Sequence, residues 1–334
     1  MTRTRFKVCR LNADTCPMIP AERRVLHEAG IDVVEVETLA SRRMPEAAVE
    51  ADALMVVSAR LPAGIIRRLS RCRVISRMGT GVDKIDVAQA TRQGIVVTNL
   101  PDFCTDEVAD HTMALLLSVA RHLKECEASM RRGRRPHDFA CMHPLSAQTL
   151  GLVGFGRIGK AVARRAFGFG LRVLVCDPAL TETESRRYGV TRTDLDRALR
   201  ECDYLALACP LTSATRNMVG IRELKQMKSS AVLVNTGRGE LVNEKELITA
   251  LREGIIRYAA LDVFGTINVF AADGFSTDHP LFTLRNVVLT PHVASNSREA
   301  LHNVRVRGAE AIVEVLSGNR PQFPVNPEVF NASS

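Results

Sequence analysis

Thr149-Leu-Gly-Leu-Val-Gly154-Phe-Gly156-Arg157-Ile158-Gly159-Lys160 is the stretch that decides the fold. Its apolar lead-in, Leu150 to Val153, has the character of a buried strand. The run Ile158, Val162, Ala166 and Phe169 behind it has the spacing of an amphipathic helix. Between the two stand three glycines with separable tasks. Gly154 permits a tight turn, Gly156 lets a pyrophosphate come close to the backbone, and Gly159 lets the helix pack on the strand, so that amides at the helix N-terminus face phosphates. A second apolar run, Leu171 to Cys176, ends at Asp177, eighteen residues after Gly159. An acid there accepts hydrogen bonds from an adenosine ribose and repels a 2′-phosphate, so the stretch reads as a seat for NAD in preference to NADP.

At 334 residues the chain exceeds the size at which one core usually keeps growing, about 250–300 residues, and two domains are expected. No uncharged apolar run reaches the length of about 18 residues needed to span a membrane, and the start, Met1-Thr-Arg-Thr-Arg-Phe6, is not signal-like. The expectation is a soluble cytoplasmic protein with no membrane partner. Nine cysteines, at 9, 16, 72, 104, 126, 141, 176, 202 and 209, form no CxxC pair, which points to neither disulfides nor a metal site. The formal charge of +8 includes one dense cluster, Met130-Arg-Arg-Gly-Arg-Arg135. It has no interleaved aromatics of the kind that stack bases, so nucleic acid is not an expected partner.

From Phe6 the chain alternates strand-like and helix-like segments. Strands are predicted at Lys7 to Leu11, Val33 to Val36, Ala53 to Val57, Val74 to Ser76 and Val96 to Thr98, with helices between them, the pattern of a parallel sheet wrapped by helices. A longer helix, Asp106 to His122, leads into the cofactor unit, whose strands fall near Leu152, Leu171, Tyr204, Ala231, Ala259 and Val287. The final helix, Ser297 to Ser317, is expected to return to the first domain. The predicted division is therefore 1–103 with 296–334, and 104–295. Open sheets of this kind bind ligands at the carboxyl ends of their strands, and the substrate is expected in a cleft between the two lobes.

Three further segments fall at strand ends: Leu233-Val-Asn235-Thr236-Gly237-Arg238-Gly239, Ala260-Leu-Asp262-Val-Phe264 and Leu289-Thr-Pro291-His292-Val-Ala294-Ser295. Hydride exchange at a 2-oxo acid needs a cation for the carboxylate and an acid that protonates the carbonyl oxygen. Arg238 and His292 are those residue types, and Arg238 stands between two glycines, as a fork-shaped donor reaching a planar carboxylate requires. A salt-bridging arginine and an ordinary packed histidine are the plainer readings of each taken alone.

With these segments in view the chain resembles the D-2-hydroxyacid dehydrogenase family, and within it the 3-phosphoglycerate dehydrogenase-like and C-terminal-binding-protein-like branch. The resemblance rests on Met78-Gly79-Thr80-Gly81-Val82-Asp83, Asn99-Leu-Pro101, Glu107-Val-Ala-Asp110-His111, the Gly154 to Asp177 stretch, Cys209-Pro210-Leu211-Thr212, Asn235 to Gly239, Leu261 to Phe264 and Thr290-Pro-His292. It implies an α/β fold of two doubly wound parallel-sheet domains, a flavodoxin-like substrate-binding domain and a Rossmann NAD-binding domain. It implies that Arg238 binds the substrate carboxylate, that His292 is the acid/base, and that Gly79, Thr80 and Gly81 hold the carboxylate through their amides. It further implies that Arg157, Ile158, Asp177, Cys209, Pro210, Thr236, Gly237, Asp262, His292 and Ser295 line the NAD site beside Gly154, Gly156 and Gly159. A homodimer paired through the cofactor domains is implied as well, and the apolar run from Met113 to Ala120 is read as surface available for it. By the same layout Arg60 and Arg77 face the substrate and could grip a second anionic group, a phosphate, phosphonate or carboxylate.

One departure stands out. The family places a glutamate five residues after the aspartate of Leu-Asp-Val-Phe, where it hydrogen-bonds the catalytic histidine, and here that position is Ile267. The segment 264–280 contains no glutamate and is several residues longer than usual. One pKa unit corresponds to about 1.4 kcal/mol, so a carboxylate partner worth one or two units changes the population of protonated histidine about ten- to a hundredfold. Three explanations are open. Asp273 supplies the carboxylate from the longer loop; His292 works without one, helped by substrate charge or by a preference for oxidation; or the chain is an NAD-sensing, corepressor-like partner protein with impaired catalysis.

Overall fold

Continuous apolar runs too short for helices and flanked by polar turns become the buried central strands, and among the described residues twelve strands assemble into two parallel sheets. The computed structural model describes residues 6–14, 16–37, 44–135, 142–271 and 274–331. The chain divides into two compact units, 1–104 with 270–274 and 297–334, and 105–269 with 275–296.

In the first unit, β1 (Lys7–Leu11), β2 (Asp32–Val36), β3 (Ala53–Val56), β4 (Val74–Arg77) and β5 (Val96–Thr98) lie in the order β2-β1-β3-β4-β5, all parallel, which is the flavodoxin-like order. Strand periodicity sorts the side chains onto two cores. Ala53 and Met55 join Leu26, Ile312 and Leu316 on one face, and Leu54 and Val56 join Ala48, Ile66 and Ala90 on the other. The late helix Arg298–Leu316 belongs to this unit because it lies against β4, where the Ser76 hydroxyl donates to the Gly308 carbonyl (2.8 Å). Beyond it Asn326 accepts from the Val97 amide (2.8 Å) and donates to the Ile95 carbonyl (2.9 Å), fixing the chain end beside β5.

The second unit contains β6 (Thr149–Val153), β7 (Arg172–Cys176), β8 (Thr191–Arg192), β9 (Tyr204–Leu207), β10 (Val232–Asn235), β11 (Tyr258–Leu261) and β12 (Val287–Leu289) in the order β12-β11-β10-β9-β6-β7-β8. Strand order reverses between β6 and β9, the doubly wound switch point at which such sheets bind ligands. The two-residue β8 is too short to announce itself in the sequence.

The helix Thr105–Ala120 ends earlier than the hydropathy suggests because His122 takes a left-handed backbone (φ 48°), and a separate helix, Leu123–Arg131, follows. Its apolar residues Met113, Leu115, Leu116, Val119 and Ala120 are buried in the core shared with Leu150, Val162 and Val234. The run read as surface available for pairing is thus core, and it gives no argument for a dimer. Among the described residues, no helix is long and apolar enough to cross a membrane.

Candidate active site

The turn after β6 shows which glycines the fold itself demands. Gly154 has φ +97°, and a Cβ there would lie 2.6 Å from the Cys209 nitrogen; at Gly159 it would lie 2.3 Å from the Gly154 carbonyl oxygen. Both are contacts that no side chain tolerates. Gly156 differs, since a Cβ there meets nothing within 4 Å. It is exposed at the N-cap of the helix Arg157–Gly168, so its bareness keeps the approach to the helix amides open, as a pyrophosphate requires. Asp177, partly exposed beyond β7, accepts from the Phe155 amide (2.6 Å) and the Ala179 amide (2.8 Å), tying the glycine turn to the neighbouring strand end. Arg157 is exposed and Ile158 is half-buried against the core. Cys209 and exposed Pro210 follow β9; burial pushes the Cys209 thiol up to about 11, so it lines the strand end as a neutral, apolar group.

At the end of β10, Asn235 is 1 % exposed and shapes the next turn. Its amide donates to the Arg238 carbonyl (2.9 Å) and its oxygen accepts from the Gly237 amide (3.1 Å). A Cβ on Gly239 would sit 1.9 Å from the Phe264 carbonyl carbon, so the Arg238 turn is pressed backbone to backbone on the segment leaving β11. Thr236 Oγ1 lies 2.7 Å from Thr112 Oγ1, and half-buried Arg238 donates from Nη1 to the Gly237 carbonyl (2.9 Å).

Asp262, one residue past β11, is 0 % exposed. Its amide donates to the Asn235 carbonyl (3.0 Å), and its own carbonyl accepts from the His292 amide (2.8 Å). Its carboxylate accepts from the Thr290 hydroxyl (2.6 Å) and from the amides of Val293 and Ala294 (both 2.9 Å). His111 Nε2 stands 2.9 Å from Thr290 Oγ1 and 3.5 Å from Asp262 Oδ1. Burial alone would raise the Asp262 carboxyl, but these hydrogen bonds outweigh it and hold the group below the ordinary aspartate range. The loop so held carries His292 at φ +57° and half-buried Ser295.

Ile267 is half-buried against the apolar core of the second unit, and Asp273 lies outside the described residues. Beside Ile267, the buried Glu244 carboxylate accepts from the Gly265 amide (2.8 Å) and the Thr266 hydroxyl, and pairs with His279 Nε2 (3.3 Å).

In the first unit the turn after β4 is built around Arg77. Its Nε donates to the Gly81 carbonyl (2.9 Å) and its Nη1 to that of Met78, and a Cβ on Gly79 (φ +149°) would lie 2.0 Å from Nη1. The guanidinium therefore braces its own loop. The Gly79 amide donates to the Arg77 carbonyl (2.9 Å), and the Thr80 carbonyl accepts from Asn99 (2.6 Å). Arg60 is exposed in the segment after β3.

Residues 113–294 match the family model for the NAD binding domain of D-isomer specific 2-hydroxyacid dehydrogenases. The chain belongs to that family. Its cofactor is NAD, and it is an oxidoreductase of this type. It is 37% identical over 325 residues to a glyoxylate reductase of Pyrococcus furiosus, covering 92% of this chain and 95% of the relative. It is also 37% identical over 315 residues to a D-3-phosphoglycerate dehydrogenase of Methanocaldococcus jannaschii, covering 93% of this chain and 58% of the relative. A crystal structure of D-lactate dehydrogenase from Aquifex aeolicus, complexed with NAD and lactic acid, superimposes with a TM-score of 0.84 at 27% identity, covering 93% of this chain and 96% of that one.

In this dehydrogenase the structure brings Arg238, Asp262 and His292 to the carboxyl ends of three adjacent strands, the same sheet edge as Gly154 and Asp177. His111 and Thr290 stand in segments that the sequence singled out, but neither they nor Thr112 and Glu244 had a role assigned at this edge. The available signal was the polar pair His111 and Thr112 directly before the apolar Met113 to Leu117 run.

Proposed function

We propose that the chain exchanges a hydride between NAD(H) and C2 of a compact 2-oxo or D-2-hydroxy acid, with Arg238 as the carboxylate-binding cation and His292 as the acid/base. The single observation that carries this reading is the Asn235–Asp262–His292 backbone line, which ties the Arg238 turn after β10 and the His292 turn after β12 to the end of β11 between them. Reduced NAD, when bound, supplies the hydride. The Arg238 fork pairs with the substrate carboxylate and fixes the acid's plane. His292 donates its ring proton to the carbonyl oxygen as negative charge develops there, and in oxidation the neutral ring takes the hydroxyl proton back. Thr236, Gly237 and Ser295 complete the cofactor site with Cys209, Pro210 and Asp177.

The names of the relatives, glyoxylate reductase and D-3-phosphoglycerate dehydrogenase, differ over a second anionic group on the acid. Arg77 is engaged by the carbonyls of its own loop, which leaves Arg60 as the cation for such a group and favours a small monoanion of glyoxylate size. Ile267 packs into a core and brings no carboxylate, so Asp273 is retained as the partner of His292. These relatives carry enzyme names, and no observation favours the NAD-sensing alternative. For assembly we retain a homodimer, on a different ground: Leu123 and Met130, on the helix Leu123–Arg131, are 54% and 70% exposed.

NADH oxidation with a panel of 2-oxo acids tests the reading. Turnover of glyoxylate, with a KM raised at least about tenfold in Arg238→Gln, is expected. Binding of NADH without turnover of any 2-oxo acid would overturn it. A basic limb moved to lower pH in Asp273→Asn is the expected signature of the substituted carboxylate, and an unchanged profile would exclude it.

A further inference from the structure

His111 and Thr112 are consecutive residues on the helix Thr105–Ala120, yet their side chains reach two different turns. The hydrogen inventory fixes the direction of both contacts. Thr290 has one hydroxyl proton, which goes to the ionised Asp262 (2.6 Å), so Thr290 can only accept from His111 Nε2 (2.9 Å). His111 therefore carries its proton on Nε2, and the chain runs from His111 through Thr290 to Asp262, whose other donors are the Val293 and Ala294 amides that directly follow left-handed His292. Thr112 donates its proton to the Val108 carbonyl (2.7 Å), so at the 2.7 Å contact it accepts from Thr236, two residues before Arg238. The helix is itself anchored. It packs on the helix Arg157–Gly168, whose Arg165 pairs with Asp106 (2.9 Å) and Asp110 (2.5 Å), and it lies against β10, β11 and β12.

We infer that His111 and Thr112 are positioning residues that register the two reacting side chains separately, His111 setting the His292 turn and Thr112 setting the Arg238 turn. One rigid helix thereby fixes the spacing between an acid and a cation that the chain places more than fifty residues apart. A ring donor at 111 and a hydroxyl acceptor at 112 are the requirements. Gln at 111 keeps a terminal N–H donor and Ser at 112 keeps the hydroxyl, whereas Ala at 111 and Val at 112 remove each function.

The experiment compares H111A, H111Q, T112V and T112S by amide hydrogen exchange and by steady-state kinetics. The exchange measurement stands alone. Protection at 293–294 is expected to fall about tenfold or more in H111A with 237–239 unchanged, and the converse in T112V, since a lost buried hydrogen bond costs about 1–3 kcal/mol. H111Q and T112S should recover most of the protection. The kinetic measurement rests on the function proposed above: kcat falls about tenfold in H111A with the NADH Kd unchanged, while T112V raises KM for the oxo acid with a smaller change in kcat. Loosening of both turns by either variant, or of neither, would overturn the inference, as would identical kinetic defects. A parent enzyme that protects these amides as described but turns over no 2-oxo acid would sink the function and leave the exchange result to decide the positioning role.

Discussion

Asp262 holds His292 in a left-handed backbone. Its carbonyl accepts from the His292 amide at 2.8 Å and its carboxylate accepts from the next two amides at 2.9 Å each, so the φ of +57° is imposed by a buried anion one strand away. Such a conformation costs a non-glycine residue on the order of 1 kcal/mol and persists only where its surroundings dictate it. Asp262, which the resemblance places in the lining of the NAD site, is fully buried and is the internal scaffold of the His292 turn.

Asp262→Asn should therefore damage both stability and turnover. The carboxamide presents an NH2 where amide donors now point, leaving buried polar groups mismatched at about 1–3 kcal/mol. The acid dependence gives the sign. The native carboxyl lies below its ordinary value, so its stabilisation is fully present above about pH 3.9 and is lost as pH falls through the native value. Urea denaturation at pH 7 and pH 3 should show the parent losing more stability on acidification than the variant; equal losses would contradict this assignment.

Gly239→Ala and Gly156→Ala should separate packing from cofactor approach. The first puts a methyl 1.9 Å from the Phe264 carbonyl carbon, so melting temperature and kcat/KM should both fall, overpacking costing about 1–3 kcal/mol. The second meets nothing in the fold, so thermal stability should hold while the NADH Kd rises several-fold. Calorimetry with NADH titration checks both.

Asp177→Ser removes the charge expected to reject a 2′-phosphate. The ratio of kcat/KM for NADH over NADPH should fall by about tenfold or more, each tenfold being about 1.4 kcal/mol. Because Asp177 also holds the Phe155 amide at 2.6 Å, some loss with NADH itself is expected. An unchanged ratio would show that the charge does not select the cofactor.

Leu123→Glu with Met130→Glu should convert a dimer into monomers on sizing chromatography. A parent that already elutes as a monomer would remove the assembly proposal.

The two parallel sheets were readable because most of their strands are continuous apolar runs, and the resemblance supplied the flavodoxin-like and Rossmann classes. The cofactor edge was readable as well, since Gly154 and Gly159 are demanded by backbone contacts that leave their mark as glycine. What the sequence hid were relations at a distance. Asp262 and His292 are both visible as polar residues at strand ends, but the carboxylate-to-amide bonds between them belong to neighbouring strands. The tasks of His111 and Thr112 could not be read because their partners lie more than a hundred residues away. The helix from 113 to 120 misled in the opposite sense: hydropathy reports apolar surface without saying whether a core or a partner covers it. Arg77 carried charge enough to suggest a substrate contact, and only the fold shows its guanidinium folded onto its own turn.

Under the proposed function, hydride passes between NAD and C2 of the acid under the control of His292. Reduced NAD carrying deuterium at C4 tests it most directly, with glyoxylate and larger 2-oxo acids as acceptors and the label followed in the product. With both C4 positions of the nicotinamide labelled, deuterium at C2, D configuration in chiral products, and a rate lower by about a hundredfold or more in His292→Ala are expected. Product without deuterium at C2, or full transfer in the absence of the histidine, would contradict it.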